Sequence, residues 1–151
     1  ETISLAIGAS STGHLVFGTL HTTSAAKTVD RVIEVFPENQ QEQIRNTLSD
    51  GLRAVVAQNL FKRIDQKGRV AALEIMIATP AVRNLIREGK TFQIPSMIQT
   101  GRKFGMQTLD DAIMTLLNKR IISPEAAYAK CNDKDKFRPY LKQPPADFTE
   151  V

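Results

Sequence analysis

The sequence predicts a mixed α/β fold for residues 1–77 and a helical region after them, on three observations. Residues 15–20, 60–65 and 70–77 are short apolar runs of strand length, the last two separated by a turn at Gly68. The residues between place apolar side chains every three or four positions, as helices returning onto a sheet do. Beyond Thr79, short segments with the same period open on threonine or serine caps.

In order, residues 2–9, with Ile3, Leu5, Ala6 and Ile7, read as the end of a helix, and Gly8 to Gly13 as a turn. Residues 15–20 form a strand, and Thr22, Thr23 and Ser24 offer side-chain oxygens where a helix starts. Ala25, Val29, Val32, Ile33 and Phe36 share one face of that helix, and Pro37 stops it. A polar stretch then leads into a helix whose face is Ile44, Leu48, Leu52, Val55 and Val56, with Gly51 inside it. The hairpin follows. Thr79 caps a helix with Pro80 at its first position; Val82, Leu85 and Ile86 bury it and Gly89 ends it. Ile94, Met97 and Ile98 mark a second short helix closed by Gly101. Thr108 caps a third, with Asp110 and Asp111 at its positive end and Leu109, Ile113, Leu116 and Leu117 inside. Ser123, Pro124 and Glu125 open a fourth. From Asn132 the chain is polar, with Pro139, Pro144 and Pro145, and reads as an extended or mobile tail unless it docks. The expected division is therefore 1–79, 80–131 and 132–151.

A chain of 151 residues, 42% hydrophobic and 24% charged, has the composition of an ordinary globular protein. No apolar run approaches the roughly 18 residues needed to span a bilayer, and no signal peptide is visible. Cys131 is the only cysteine, which excludes an intrachain disulfide and a cysteine zinc site. A cytoplasmic setting is the default. Glu1 is not a methionine and opens an apolar helical segment, which reads as a piece of a longer protein. The net charge of +4 resides in residues 80–132, where eight basic residues face four acidic ones. That surplus suits an acidic partner, a membrane surface or nucleic acid, and equally a solvated helical surface.

Both histidines, His14 and His21, flank the 15–20 run. His21 stands at the carboxyl end of the expected strand, beside a helix start. Ligands bind at such places in open α/β sheets, and free N–H groups there favour phosphate. Residue type alone leaves this beside a plainer reading, two half-buried histidines bonded to backbone. No H-E-x-x-H and no cysteine cluster is present, so no metal site is expected. Cys131 has no nucleophile context and reads as a buried or incidental thiol.

Residues 13–25, GHLVFGTLHTTSA, closely resemble the histidine box of secretion-type ATPases, the motor family of type II secretion and type IV pili. Residues 81–88, AVRNLIRE, are similar to the AIRNLIRE signature of PilT-type pilus-retraction ATPases, with valine for the first isoleucine. Residues 105–110, GMQTLD, resemble another family segment, so the likeness covers residues 1–130. The assembly and type II secretion branches typically insert a four-cysteine zinc module after the segment matching 58–63. Here Arg63 runs straight into a hairpin without cysteine, which favours the retraction branch. A conjugative DNA-transfer ATPase is related but is not expected to carry the 81–88 signature. No G-x-x-x-x-G-K-[ST] phosphate loop occurs, and in the family that loop precedes the histidine box.

The resemblance implies the C-terminal part of a RecA-like P-loop ATPase core followed by a small helical subdomain. It implies a hexameric motor that drives pilus retraction and twitching motility by ATP hydrolysis. A pilus-assembly or type II secretion ATPase, or a non-catalytic oligomerisation and docking module, are the alternatives. ATP and Mg²⁺ are implied for the intact protein, with none held by these residues, which alone are expected to be inactive. The resemblance places His21 near the γ-phosphate, as a sensor or transition-state hydrogen-bond donor, with His14 supporting the same strand. Arg31 is implied as an intersubunit charge sensor, and Arg63 with Gln58 as neighbours of the nucleotide; surface ion pairs are the alternative for both arginines. Arg83, Asn84, Arg87 and Glu88 are expected on the outer side of their helix, as a coupling surface toward the pilus machine or a neighbouring subunit. The implied partners are further copies of the chain and an inner-membrane pilus platform protein, without nucleic acid. The implied location is the cytoplasm, peripherally at the inner membrane.

Overall fold

The structure, a computed structural model, describes residues 1–143 and divides the chain within its hairpin. The first unit comprises Glu1–Ala57 and Glu74–Gln107; the second comprises Gln58–Leu73 and the residues from Thr108 onward.

In the first unit, α1 (Thr2–Ser11) is followed by a stretch without helix or strand. Ser24, with extended backbone, then caps α2 (Ala25–Glu34): its hydroxyl oxygen accepts the Lys27 N–H at 3.2 Å. Such a cap contributes about 1 kcal/mol. α2 buries Ala25, Val29 and Ile33, and Pro37 separates it from α3 (Glu38–Gly51). Two strands, β1 (Ala54–Lys62) and β2 (Arg69–Ile77), form an antiparallel hairpin. Ile75 of β2 exchanges backbone hydrogen bonds of 2.9 and 3.1 Å with Gln107. Thr79 caps α4 (Pro80–Arg87), and Gly89 ends it with φ +70°, a left-handed conformation that glycine adopts without a side-chain clash. α5 (Ile94–Thr100) completes the unit. Its core joins Val29 and Ile33 of α2 to Met76 of β2, Val82 and Ile86 of α4, and Ile94 and Ile98 of α5.

In the second unit the hairpin turn closes where the Arg63 N–H donates to the Gly68 carbonyl at 3.1 Å, with Gly68 at φ +124°. Thr108 caps α6 (Leu109–Asn118), whose first turn carries Asp110 and Asp111. Ser123 caps α7 (Pro124–Lys130), and α8 (Lys134–Phe137) follows. Phe61, Ala72, Ile113, Ile122 and Phe137 are buried together. Cys131 is buried, and burial pushes its thiol above the ordinary range.

Four expectations are corrected. Residues 15–20 form no strand, and Leu15 and Phe17 are 75% and 89% exposed. A strand needs neighbours for its N–H and C=O groups, and among the described residues the one sheet consists of β1 and β2, neither of which pairs with residues 15–20. The second helix does not run through Val55 and Val56: it ends at Gly51, and both valines lie in β1, as β-branched residues favour. The division at 79 also fails, because α4 and α5 bury their apolar stripes in the first unit while the hairpin tip shares a core with α6 to α8. Finally, of the stretch after Asn132 the described residues 132–143 dock and are not an open tail. The Asn132 and Asp133 N–H groups donate to the Asp110 carboxylate at 2.8 and 2.9 Å, and Phe137 is fully buried. Pro144 and Pro145 lie outside the described residues.

Candidate functional site

The loop between α1 and α2 carries both histidines, each exposed. His14 is held locally, its Nδ1 3.1 Å from the Thr12 hydroxyl. His21 comes three residues before the Ser24 cap. The Thr22 and Thr28 hydroxyls share a 2.6 Å hydrogen bond, and the Thr28 hydroxyl also donates to the Ser24 carbonyl at 2.8 Å.

The first N–H of α2 does not stand open for a phosphate. Ala25 N–H donates at 2.8 Å to Oε1 of Glu74, a β2 residue only 8% exposed. The first donor of the helix start offered to an anion by sequence is therefore taken by a carboxylate, which the positive end of the helix favours as it would a phosphate. Glu74 was missed by motif reasoning. Its signal is a lone acid inside the apolar run 70–77, at a position where alternation points inward. Arg31 lies in the last turn of α2 and is exposed.

Arg83, Asn84, Arg87 and Glu88 lie together on α4, but not as four free polar groups. The Arg83 guanidinium donates to the carbonyls of Ala78 (2.8 Å), Ser49 (2.9 Å), Asp50 (2.5 Å) and Leu52 (3.1 Å). Ser49 and Asp50 belong to the last turn of α3 and Leu52 is its C-cap, so Arg83 binds carbonyls that the helix leaves without partners. Arg87 pairs with the Asp50 carboxylate at 3.0 Å. Asn84 donates to Glu88 at 2.9 Å, and Glu88 pairs with Lys90 at 2.8 Å. Lys90 and Asn84 hold the Glu88 carboxyl below the ordinary range.

In the second unit, Arg63 grips Asp65, two residues on, with two bonds of 2.9 and 2.6 Å at the hairpin turn. This bidentate bond holds the Asp65 carboxyl below the usual carboxylate range and raises the Arg63 guanidinium. Arg63 is thus engaged in the ion pair that was its alternative reading. Gln58 is exposed on β1. Among the described residues, no helix is long and apolar enough to cross a membrane.

The family model described as type II/IV secretion system protein matches residues 1–83. The chain is 56% identical over 135 residues to the twitching motility protein of Neisseria gonorrhoeae, spanning 89% of this chain and 36% of that protein. It is 56% identical over 137 residues to the type IV pilus retractation ATPase PilT of Pseudomonas aeruginosa, spanning 91% of this chain and 40% of that protein. Among solved structures, that of the pilus retraction motor PilT with bound ADP matches with a TM-score of 0.78 and 40% identity, covering 89% of this chain and 37% of that one. The chain therefore spans well under half the length of the relatives it matches. The expected fold class, an α/β piece of a secretion ATPase, is borne out. The chain belongs to the type II/IV secretion system protein family, and within it is similar to the PilT retraction motors.

Proposed function

We propose that this chain works as the C-terminal part of the motor domain of a hexameric ATPase that retracts type IV pili and so drives twitching motility. The observation that carries the reading is 56% identity to PilT across nine-tenths of the chain. The hairpin that follows Arg63 directly, with no cysteine, supports a retraction motor over an assembly or secretion ATPase with a zinc module.

The residues present fit the edge of an ATP site. The chain supplies side-chain donors in His21, His14 and Arg31, while at the start of α2 the Ala25 and Lys27 N–H groups are already taken by Glu74 and Ser24. A phosphate loop is absent from the sequence, so we assign no hydrolysis to these residues alone. Bound ATP with Mg²⁺ would supply phosphoryl transfer to water, a reaction dominated by positioning and charge stabilisation. His21, exposed and close to a helix start anchored on β2, would donate a ring N–H to a phosphoryl oxygen. His14, held by Thr12, would keep the loop in place. Arg31 would meet phosphate from a neighbouring subunit, and Arg63 would have to exchange Asp65 for phosphate beside Gln58. Arg83 would act by holding α4 onto α3, leaving Asn84, Arg87 and Glu88 as the exposed part of a coupling surface toward a platform protein at the inner membrane. The motor itself would be cytoplasmic.

In the intact motor, His21→Ala should lower ATP turnover roughly a hundredfold, as loss of one transition-state donor does, while ring assembly measured by mass stays unchanged. Unchanged turnover would remove His21 from the mechanism.

A further inference from the structure

We propose that Glu74 is a positioning residue for the loop that carries His21, a role that rests on the reading of His21 as a phosphate sensor. The hydrogen bonds that organise residues 22–28 are mostly local. Ser24 accepts from Lys27, Thr28 donates to Ser24, and Thr22 meets Thr28. Such bonds set the shape of the segment and move with it; they do not tie it to anything else. The bond from Ala25 N–H to Glu74 Oε1 has a different reach, joining residues 49 apart in the chain.

Its other end is held firmly. The next residue, Ile75, exchanges two backbone bonds with Gln107, Met76 is fully buried, and Thr79 caps α4 shortly afterwards. Glu74 therefore carries the position of β2 to the first turn of α2, four residues from His21. A carboxylate only 8% exposed is costly to bury unless a donor compensates it, and the helix start supplies both an N–H and the positive end of a dipole. Removing it leaves Ser24 to shape the helix start and the buried Ala25 to pack in the core shared with Met76, but no directional bond in this set to fix that start against β2. An ångström of drift at a catalytic group is enough to cost rate without abolishing binding.

The test compares Glu74→Ala, Glu74→Gln, His21→Ala and the Glu74→Ala/His21→Ala double variant in the intact motor, with ATP turnover and amide hydrogen exchange of residues 20–27 as readouts. Glu74→Ala should lower kcat roughly tenfold with KM held within about twofold, and should speed exchange across residues 20–27. Glu74→Gln, which keeps the acceptor oxygen, should restore most of both. In the His21→Ala background, Glu74→Ala should lower turnover little further, since both changes disable one donor. Fully additive losses, or unchanged exchange in residues 20–27, would overturn the proposal while leaving the reading of His21 intact. Turnover unaffected by His21→Ala would instead overturn that reading, and this role of Glu74 with it.

Discussion

Arg83 stands beside Val82 on α4, one residue from the buried stripe of Val82 and Ile86, so helical spacing assigns it to the outer side. Its guanidinium nevertheless reaches four carbonyls, three of them at the end of α3, in residues 49 to 52. Arginine has five N–H donors in a planar fork, and no other side chain could serve so many acceptors at once. Arg83→Ala should therefore destabilise the chain by about 1–3 kcal/mol, since it strips a charged donor from three half-buried carbonyls at once. Arg83→Lys should recover little of it, because a compact ammonium cannot span the set. Arg87→Ala, which breaks one exposed pair with Asp50, should cost less than about 1 kcal/mol. Thermal unfolding of the three variants measures the order, and equal losses for Arg83→Ala and Arg87→Ala would contradict it. The motif made both arginines conspicuous in the sequence, but their difference was not legible there. The partners of Arg83 in α3 lie more than thirty residues upstream, and Glu74 meets Ala25 across 49. No local pattern encodes such pairings.

At the scale of elements, legibility follows how local the cause is. The caps at Ser24, Thr79, Thr108 and Ser123 were readable because each bonds an N–H three residues on. The hairpin turn was readable for the same reason, since Gly68 reports a local backbone need. The boundary between α3 and β1 was not, because Leu48, Leu52, Val55 and Val56 satisfy a helical period by coincidence while the valines prefer extended backbone. Gly68 also gives the cleanest element-scale test. At φ +124° a Cβ there would meet no atom within 4 Å, so any loss on substitution comes from the backbone alone. Gly68→Ala should cost about 1–2 kcal/mol, read by chemical denaturation with an unchanged m-value. An unaffected midpoint would mean that the turn relaxes to another type at no cost.

At the scale of the whole molecule, residues 15–20 stand out in a chain that spans 36% and 40% of two relatives it matches. Their apolar character and length gave a strand, yet here Leu15 and Phe17 face solvent and no described strand pairs with them. Exposed apolar surface costs about 25 cal/mol per Å², and N–H groups outside any helix or strand ladder have mainly water to bond. Both penalties disappear if neighbouring strands of the proposed intact motor receive the segment. In this chain alone, the amides of residues 15–20 should exchange with deuterium at nearly unprotected rates, whereas those of β1 and β2 that bond across the hairpin should be protected. In the intact motor both sets should be protected, with the larger change confined to 15–20. Equal protection of 15–20 in the two settings would mean that the segment needs no outside strands. The placement of His21 would then be a property of these residues alone, set by Ser24 and Glu74 without a sheet behind the loop.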